Sequence, residues 1–154
     1  MARGDLTLFE EFSNDLGGLK HNFESGGHVY KVGIVDSTLA PLDTIGTPAW
    51  GDYSANEVSG SGYTAGGATL ASQSYNEASG VATFDATDVT WSQASGGTSG
   101  FTSAYWAIIY DDTTSSAATK YAFAFVELGG PVNNNDGDVT ISWNASGIFT
   151  VTVS

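Results

Sequence analysis

The stretch that decides the fold is Ser103–Leu128, SAYWAIIYDDTTSSAATKYAFAFVEL, in which two apolar runs flank a polar connection. The runs Ala104–Tyr110 and Tyr121–Leu128 are of strand length, rich in aromatic and β-branched residues, and free of Gly and Pro. Neither run alternates with polar residues, a pattern typical of strands that are covered on both faces. The connection Asp111–Lys120 has the composition of an exposed loop. We therefore predict an antiparallel pair of buried strands joined by a long loop.

The rest of the chain is predicted to be mainly β. Further strands are expected at His28–Val35, Ala68–Tyr75, Gly80–Asp85, Asp88–Trp91, Val139–Trp143 and Ile148–Val153. The last two alternate apolar and polar residues and should form a hairpin around Asn144–Gly147. Gly129–Asp138 is predicted to be a turn region. About eight short strands at regular spacing predict an antiparallel β-sandwich, jelly-roll or Ig-like, with one short N-terminal helix.

The N-terminal segment Asp5–His21 is predicted to be the helix. Thr7 and Glu10 fit a capping box. Apolar residues recur every three or four positions and form a stripe, at Leu6, Phe9, Phe12, Leu16 and Leu19. Two interpretations remain open: a helix lying across one end of the β-domain, or an arm that docks on a partner. In the second, residues 1–24 form the arm, residues 25–154 form the sandwich of a single globular unit, and the candidate partner interface is Leu6, Phe9, Phe12 and Leu16.

Composition excludes several classes of function. The 154-residue chain has no cysteine, so disulfides, thiolate metal sites and cysteine nucleophiles are excluded. Its formal net charge of −13 argues against nucleic acid and anionic membranes as partners. No apolar run approaches the roughly 18 residues of a membrane span. The N-terminus lacks a cleavable apolar signal segment, so we expect synthesis in the cytoplasm.

Motifs that could carry chemistry are few. His21 and His28 are the only histidines, and no serine lies in a nucleophile frame. NNNDGD at Asn133–Asp138 and the pair Asp111–Asp112 could offer oxygen ligands to a cation. Chance and the turn preference of these residues explain the first better, and a side-chain-capped turn explains the second better. We therefore predict no catalytic residues, no metal site and no cofactor.

A sugar-stacking platform is the other candidate site. The aromatic residues that could form it are Trp50, Tyr53, Tyr63, Trp91 and Trp106. Because these residues lie mostly within strand patterns, we expect them to pack in the core. A glycosidase would need two carboxylates at a fixed separation in a cleft, which the sequence cannot establish.

Several segments taken in order resemble a family of small virion structural proteins of tailed bacteriophages. They are LFEEFSNDLG, HVYKVGIVDSTLAP, SANEVSGSGYTAGGATL, ATFDATDVTW, AYWAIIYDDT and VTISWNASGIFTVTV, which together span nearly the whole chain. The resemblance implies a non-enzymatic particle component, most specifically a head decoration (cement) protein. Such a protein would sit on the outside of the capsid as a trimer and clamp the major capsid protein. The alternative is a receptor- or carbohydrate-binding module of a tail or head fibre, and an enzyme is the third class.

Overall fold

A computed structural model describes residues 4–153, and within that range the chain is mainly β. The strands are β1 (Leu6–Leu8), β2 (Tyr30–Val35), β3 (Ala68–Thr69), β4 (Ser74–Ala78), β5 (Val81–Asp85), β6 (Val89–Trp91), β7 (Ala104–Asp111), β8 (Ala122–Val132), β9 (Val139–Ile141) and β10 (Phe149–Thr152). The helices are α1 (Phe12–Gly17) and the single turn α2 (Trp50–Tyr53). The predicted antiparallel β-sandwich is confirmed. The structure has two more strands than predicted, because β1 forms where a helix was predicted and because Ala68–Tyr75 divides into β3 and β4.

The larger layer is a five-stranded sheet in the order β1-β8-β7-β2-β3. β7 pairs antiparallel with β8, and Ile108 lies opposite Phe125, so the predicted pair of buried strands is confirmed. β8 continues to Val132 through residues where the sequence predicted a turn. The register shifts between the pairs Ala104–Val132 and Trp106–Glu127, so that β8 has extra residues there. These include Gly129 and Gly130, whose φ angles are 80° and 116°.

The smaller layer corrects the predicted C-terminal hairpin. β9 pairs with β6 and β10 pairs with β5, so β9 and β10 are not partners of each other. These strands form two small antiparallel sheets, a three-stranded sheet in the order β10-β5-β4 and a two-stranded sheet of β6 and β9. Asn144–Gly147 lies in the connection between β9 and β10, where the Asn144 Oδ1 atom accepts a hydrogen bond from the Ser146 N–H. Alternation along each strand identified the buried faces but not the partner strand.

The five-stranded sheet, called the central sheet from here on, has a hydrophobic core on each of its two faces. On β2, Tyr30, Val32 and Ile34 pack in the core between the two layers. Val35 points to the opposite face, where a second core forms beneath α2 and the loop before it. Burial on both faces explains why the strands of this sheet read as apolar runs.

The N-terminal segment is strand before it is helix. Leu6, Thr7 and Leu8 pair with β8, and the helix begins only at Phe12. The predicted capping box between Thr7 and Glu10 was therefore wrong. Because β1 satisfies its backbone groups against β8, pairing with the sheet prevails over the short-range helical pattern. None of the helices in the described range is long and apolar enough to cross a bilayer.

Candidate functional site

The four residues predicted to form a partner interface do not form an exposed stripe. Phe9 is 1% exposed and Phe12 is 5% exposed. Phe9 packs in the core beneath α2, and Phe12 packs in the core between the layers. Leu6 and Leu16 are half-buried against the core between the layers. The exposure on which the docking hypothesis rested was wrong, because the segment enters the sheet and its rings point inward.

His21 lies in the interior between two carboxylates. Its Nδ1 atom is 3.9 Å from Asp111 Oδ2 and its Nε2 atom is 3.9 Å from Asp15 Oδ2. Neither distance is a hydrogen bond, and the rings of Phe12 and Phe123 pack beside the imidazole. Burial lowers the pKa of His21 to about 4, because desolvation outweighs the attraction of the two carboxylates. The imidazole is therefore neutral at pH 7.

Each carboxylate beside His21 is bound by a second group nearer the surface. Lys20 Nζ lies 2.7 Å from Asp15 Oδ1, and this contact raises the pKa of Lys20. His28 Nδ1 lies 2.5 Å from Asp111 Oδ2. These five groups connect α1 to the end of β7. Both ring nitrogens of His21 face carboxylates, so neither is placed to activate a nucleophile. The cluster fastens the N-terminal segment to the sheet.

Asp112 binds two lysines from different parts of the chain. Its Oδ2 atom is 3.0 Å from Lys31 Nζ on β2, and its Oδ1 atom accepts a short hydrogen bond from Lys120. Burial alone would raise the pKa of Asp112, but the two ammonium groups outweigh it and hold that pKa below its usual value. The pair Asp111–Asp112, considered as a cation site, is therefore occupied by His28 and by lysines.

Three side chains of the segment NNNDGD use an oxygen atom to accept a hydrogen bond from a backbone N–H. Asn133 Oδ1 accepts from the Asn135 N–H, Asn135 Oδ1 accepts from the Gly100 N–H, and Asp138 Oδ1 accepts from the Gln93 N–H. These bonds tie the segment to the loop before β7. Across residues 4–153, no group of three or more His, Cys, Asp or Glu side chains is arranged to hold a metal ion.

Glu57 organises the Gly-rich segment that follows α2, and sequence analysis did not single it out. Its Oε1 atom accepts hydrogen bonds from Tyr63 OH at 2.8 Å and from the Gly66 N–H at 2.6 Å. The same Tyr63 hydroxyl accepts from the Ile34 N–H at 2.9 Å. A lone glutamate in a Gly- and Ser-rich segment carries no periodic signal, so only the fold identifies this role.

The aromatic residues considered as a sugar platform are largely internal. Trp50, Tyr53 and Trp91 are buried, and Tyr63 and Trp106 are half-buried against the cores. Packing in the core, the expected use of these rings, is confirmed. They do not form an exposed platform on which a sugar ring could stack.

Exposed apolar side chains instead occur on the loop between β2 and α2. Leu42 is 65% exposed and Leu39 is 42% exposed. They border a shallow groove of about 320 Å³ whose lining consists of Leu39, Ala40, Leu42, Thr44, Ile45 and Tyr53. Sequence analysis missed these residues, because two leucines in a Pro- and Thr-containing loop have neither helical nor strand periodicity.

Comparison with known proteins identifies no relative. No family model, no curated protein and no solved structure matches the chain.

Proposed function

We propose that the protein is a non-enzymatic structural component of a tailed-bacteriophage particle. More specifically, we propose a head decoration (cement) protein that binds the outside of the capsid as a trimer and stabilises the lattice of the major capsid protein. The family resemblance of the sequence segments supports this proposal. The alternative of a carbohydrate-binding module receives no support from the aromatic residues, which are used internally.

The observation that carries the proposal is that the ionisable groups that lie close together bind one another and so connect separate segments of the chain. Asp15, His21 and Asp111 connect the N-terminal segment to the sheet, and Asp112 connects β2 to the loop before β8. Catalytic sites usually keep such groups open to a substrate in a cleft. Here they hold segments of the chain together, as a protein that acts through its shape requires.

Charge supports a role on a repeated surface. All three lysines of the chain contact Asp15 or Asp112, and the net charge of −13 remains after these lysines are counted. A strongly acidic exterior keeps unbound copies apart in solution. It also favours association with a partner whose contact surface is basic.

Two cores on one sheet provide the rigidity that a clamp needs. The strands β2, β7 and β8 are packed on both faces, and β7 contacts both of its neighbours along most of its length. A body of this kind loses little conformational entropy on binding.

The test is to produce the chain together with the major capsid protein encoded in the same genome and to purify assembled particles. We expect saturable binding with on the order of hundreds of copies per particle, as the repetition of capsid symmetry implies. We also expect decorated particles to resist heating better than bare ones, since binding to the assembled state stabilises it. A handful of copies per particle, or no binding, would overturn the decoration role.

The trimer is tested separately by counting copies per threefold position on particles, because the acidic exterior keeps unbound copies apart in solution. Three copies at each occupied position support it. Single isolated copies on the capsid would overturn the trimer and leave the decoration role standing.

A further inference from the structure

The loop between β2 and α2 presents apolar side chains to solvent above the second core. Leu42 is the more exposed of its two leucines, and Leu39 lies across the same groove. The floor of the groove is formed by Tyr53, which is 1% exposed, and by Ile45, which packs against the second core. The groove is thus open at the top and continuous with the interior below.

Both ends of this loop are fixed to the body of the protein. The Asp36 N–H donates to the Asn56 carbonyl, and the Trp50 N–H donates to the Lys120 carbonyl. In the middle, the Glu10 N–H donates to the Asp43 carbonyl at 2.9 Å. The leucines are therefore held in place before any partner binds, which lowers the entropy lost on binding.

The charged residues of the loop between β2 and α2, all of them within the described part of the chain, are acidic. Asp43 belongs to the loop and is exposed, Glu10 lies beside it, and Asp36 begins the loop. The three lysines are engaged with Asp15 and Asp112. An apolar patch with an acidic border is complementary to an apolar projection with a basic border.

We propose that residues 37–45 are the docking surface of this protein, and that they receive an apolar projection flanked by Lys or Arg on the partner protein. This inference rests on the proposed function, under which the partner surface belongs to the assembled capsid. It replaces Leu6, Phe9, Phe12 and Leu16 as the predicted contact residues, since the two phenylalanines are buried and the two leucines are half-buried.

A second copy of the chain is the weaker candidate for this surface. Two such grooves facing each other would bring Asp43 and Glu10 of both copies together, and each copy carries a net charge of −13. Like charges placed opposite each other at an interface oppose association. The heterologous partner avoids this repulsion.

The decisive experiment measures occupancy on particles assembled from the major capsid protein. Leu42→Asp places a charge on the exposed leucine, and Val153→Asp, at a residue 82% exposed, is the matched control. We expect Leu42→Asp to weaken binding at least about tenfold, as loss of an apolar anchor does, and Val153→Asp to bind like the wild type. Circular dichroism and the urea midpoint check that both variants are folded.

A second pair of variants tests the charge of the partner. We expect Asp43→Asn to weaken binding about threefold at low salt and to reduce its salt dependence, whereas Glu24→Gln, also exposed, leaves both unchanged. Stronger binding of Asp43→Asn would overturn the basic border.

The outcomes separate the inference from the function. If wild-type protein binds particles and Leu42→Asp binds equally well, the docking surface is wrong and the decoration role stands. If wild-type protein does not bind particles, the proposed function fails first. If Leu42→Asp changes the mass of the free protein in sedimentation and not its particle binding, the surface joins copies of this chain.

Discussion

The indole of Trp50 lies directly on Gly33 of the central sheet. A Cβ atom at position 33 would stand 2.4 Å from Cη2 of the indole, closer than any real contact. The same indole is stacked on Tyr110, with ring centroids 4.7 Å apart and planes 6° from parallel. The absence of a side chain at Gly33 therefore makes room for Trp50 of α2, which packs directly on the sheet and covers the second core.

We expect Gly33→Ala to destabilise the fold, because the added methyl group must displace a ring that is held on its other neighbours. The free energy of unfolding should fall by roughly 1–3 kcal/mol, as at other overpacked core sites. The measurement is the urea midpoint at constant slope. Gly17→Ala is the control, since a Cβ there meets nothing within 4 Å. Equal midpoints for the two variants would contradict the close packing.

Phe12 is expected to act in folding and not in docking. Its ring centroid lies 5.0 Å from that of Phe149 and 5.7 Å from that of Phe123, so it joins the two layers. Phe12→Ala should reduce the free energy of unfolding by about 3–5 kcal/mol. The control Leu19→Ala, at a residue 84% exposed, should change it little. Chemical denaturation measures both, and a stable Phe12→Ala variant would argue for an exposed ring.

Acid should weaken the protein through His21. The unfolded residue binds its proton near pH 6.5 and the folded one near pH 4, so the unfolded state binds more protons between these values. Stability is therefore lost as the pH falls from 6.5 to 4, by roughly 3 kcal/mol. The groups that face the imidazole are Asp15 from α1 and Asp111 from β7, with Lys20 and His28 behind them.

The control for this pH dependence is His21→Phe, which keeps a ring among the surrounding aromatic residues and removes the titration. Urea midpoints measured from pH 7 to pH 4 should fall less steeply for the variant than for the wild type. Titration of the His21 ring by NMR in the folded wild type provides a direct check. Parallel pH profiles, together with a His21 pKa near 6.5, would sink the prediction.

The side chain of Asn134 should stabilise the packing of the loops at one end of the sandwich. Its side chain is fully buried, and Nδ2 donates to the Ser61 and Ser92 carbonyls, each at 2.9 Å. Asn134→Leu removes both donors and leaves two carbonyls unsatisfied, which should cost roughly 2–4 kcal/mol. The neighbouring exposed Asp136→Ser is the control. Hydrogen exchange of the Ser61 and Ala94 amides measures the loosening, and unchanged protection would count against the role.

Much of the fold could be predicted from the sequence. The run Ala104–Tyr110 was recognised as a strand buried on both faces, because its apolar residues occupy successive positions and not alternate ones. Most other strand assignments were confirmed to within a few residues, as for Tyr30–Val35, whereas Ala68–Tyr75 divides into two strands of different sheets. The helix predicted from Asp5 was wrong at its start, because spacing reports which residues are apolar and not which strand is available to pair with them.

The candidate sites depended more on the tertiary structure. His21 and Asp111 are 90 residues apart in the chain, and nothing in the local pattern of either predicts that they approach to 3.9 Å. Leu39 and Leu42 were overlooked, because exposure in an irregular loop follows from how that loop lies on its neighbours. The structural role of Glu57 could be recognised only from its hydrogen-bonded partners in the folded protein.

By itself the sequence determined the class of fold, the acidic exterior and the absence of cysteine chemistry, since composition and periodicity depend on residues close together in the chain. Only the tertiary structure decided which strands pair, that the N-terminal rings point inward, and that Leu39 and Leu42 remain exposed. Those outcomes depend on contacts between distant segments, in which burial of apolar surface and satisfaction of backbone hydrogen bonds are settled for the whole chain at once.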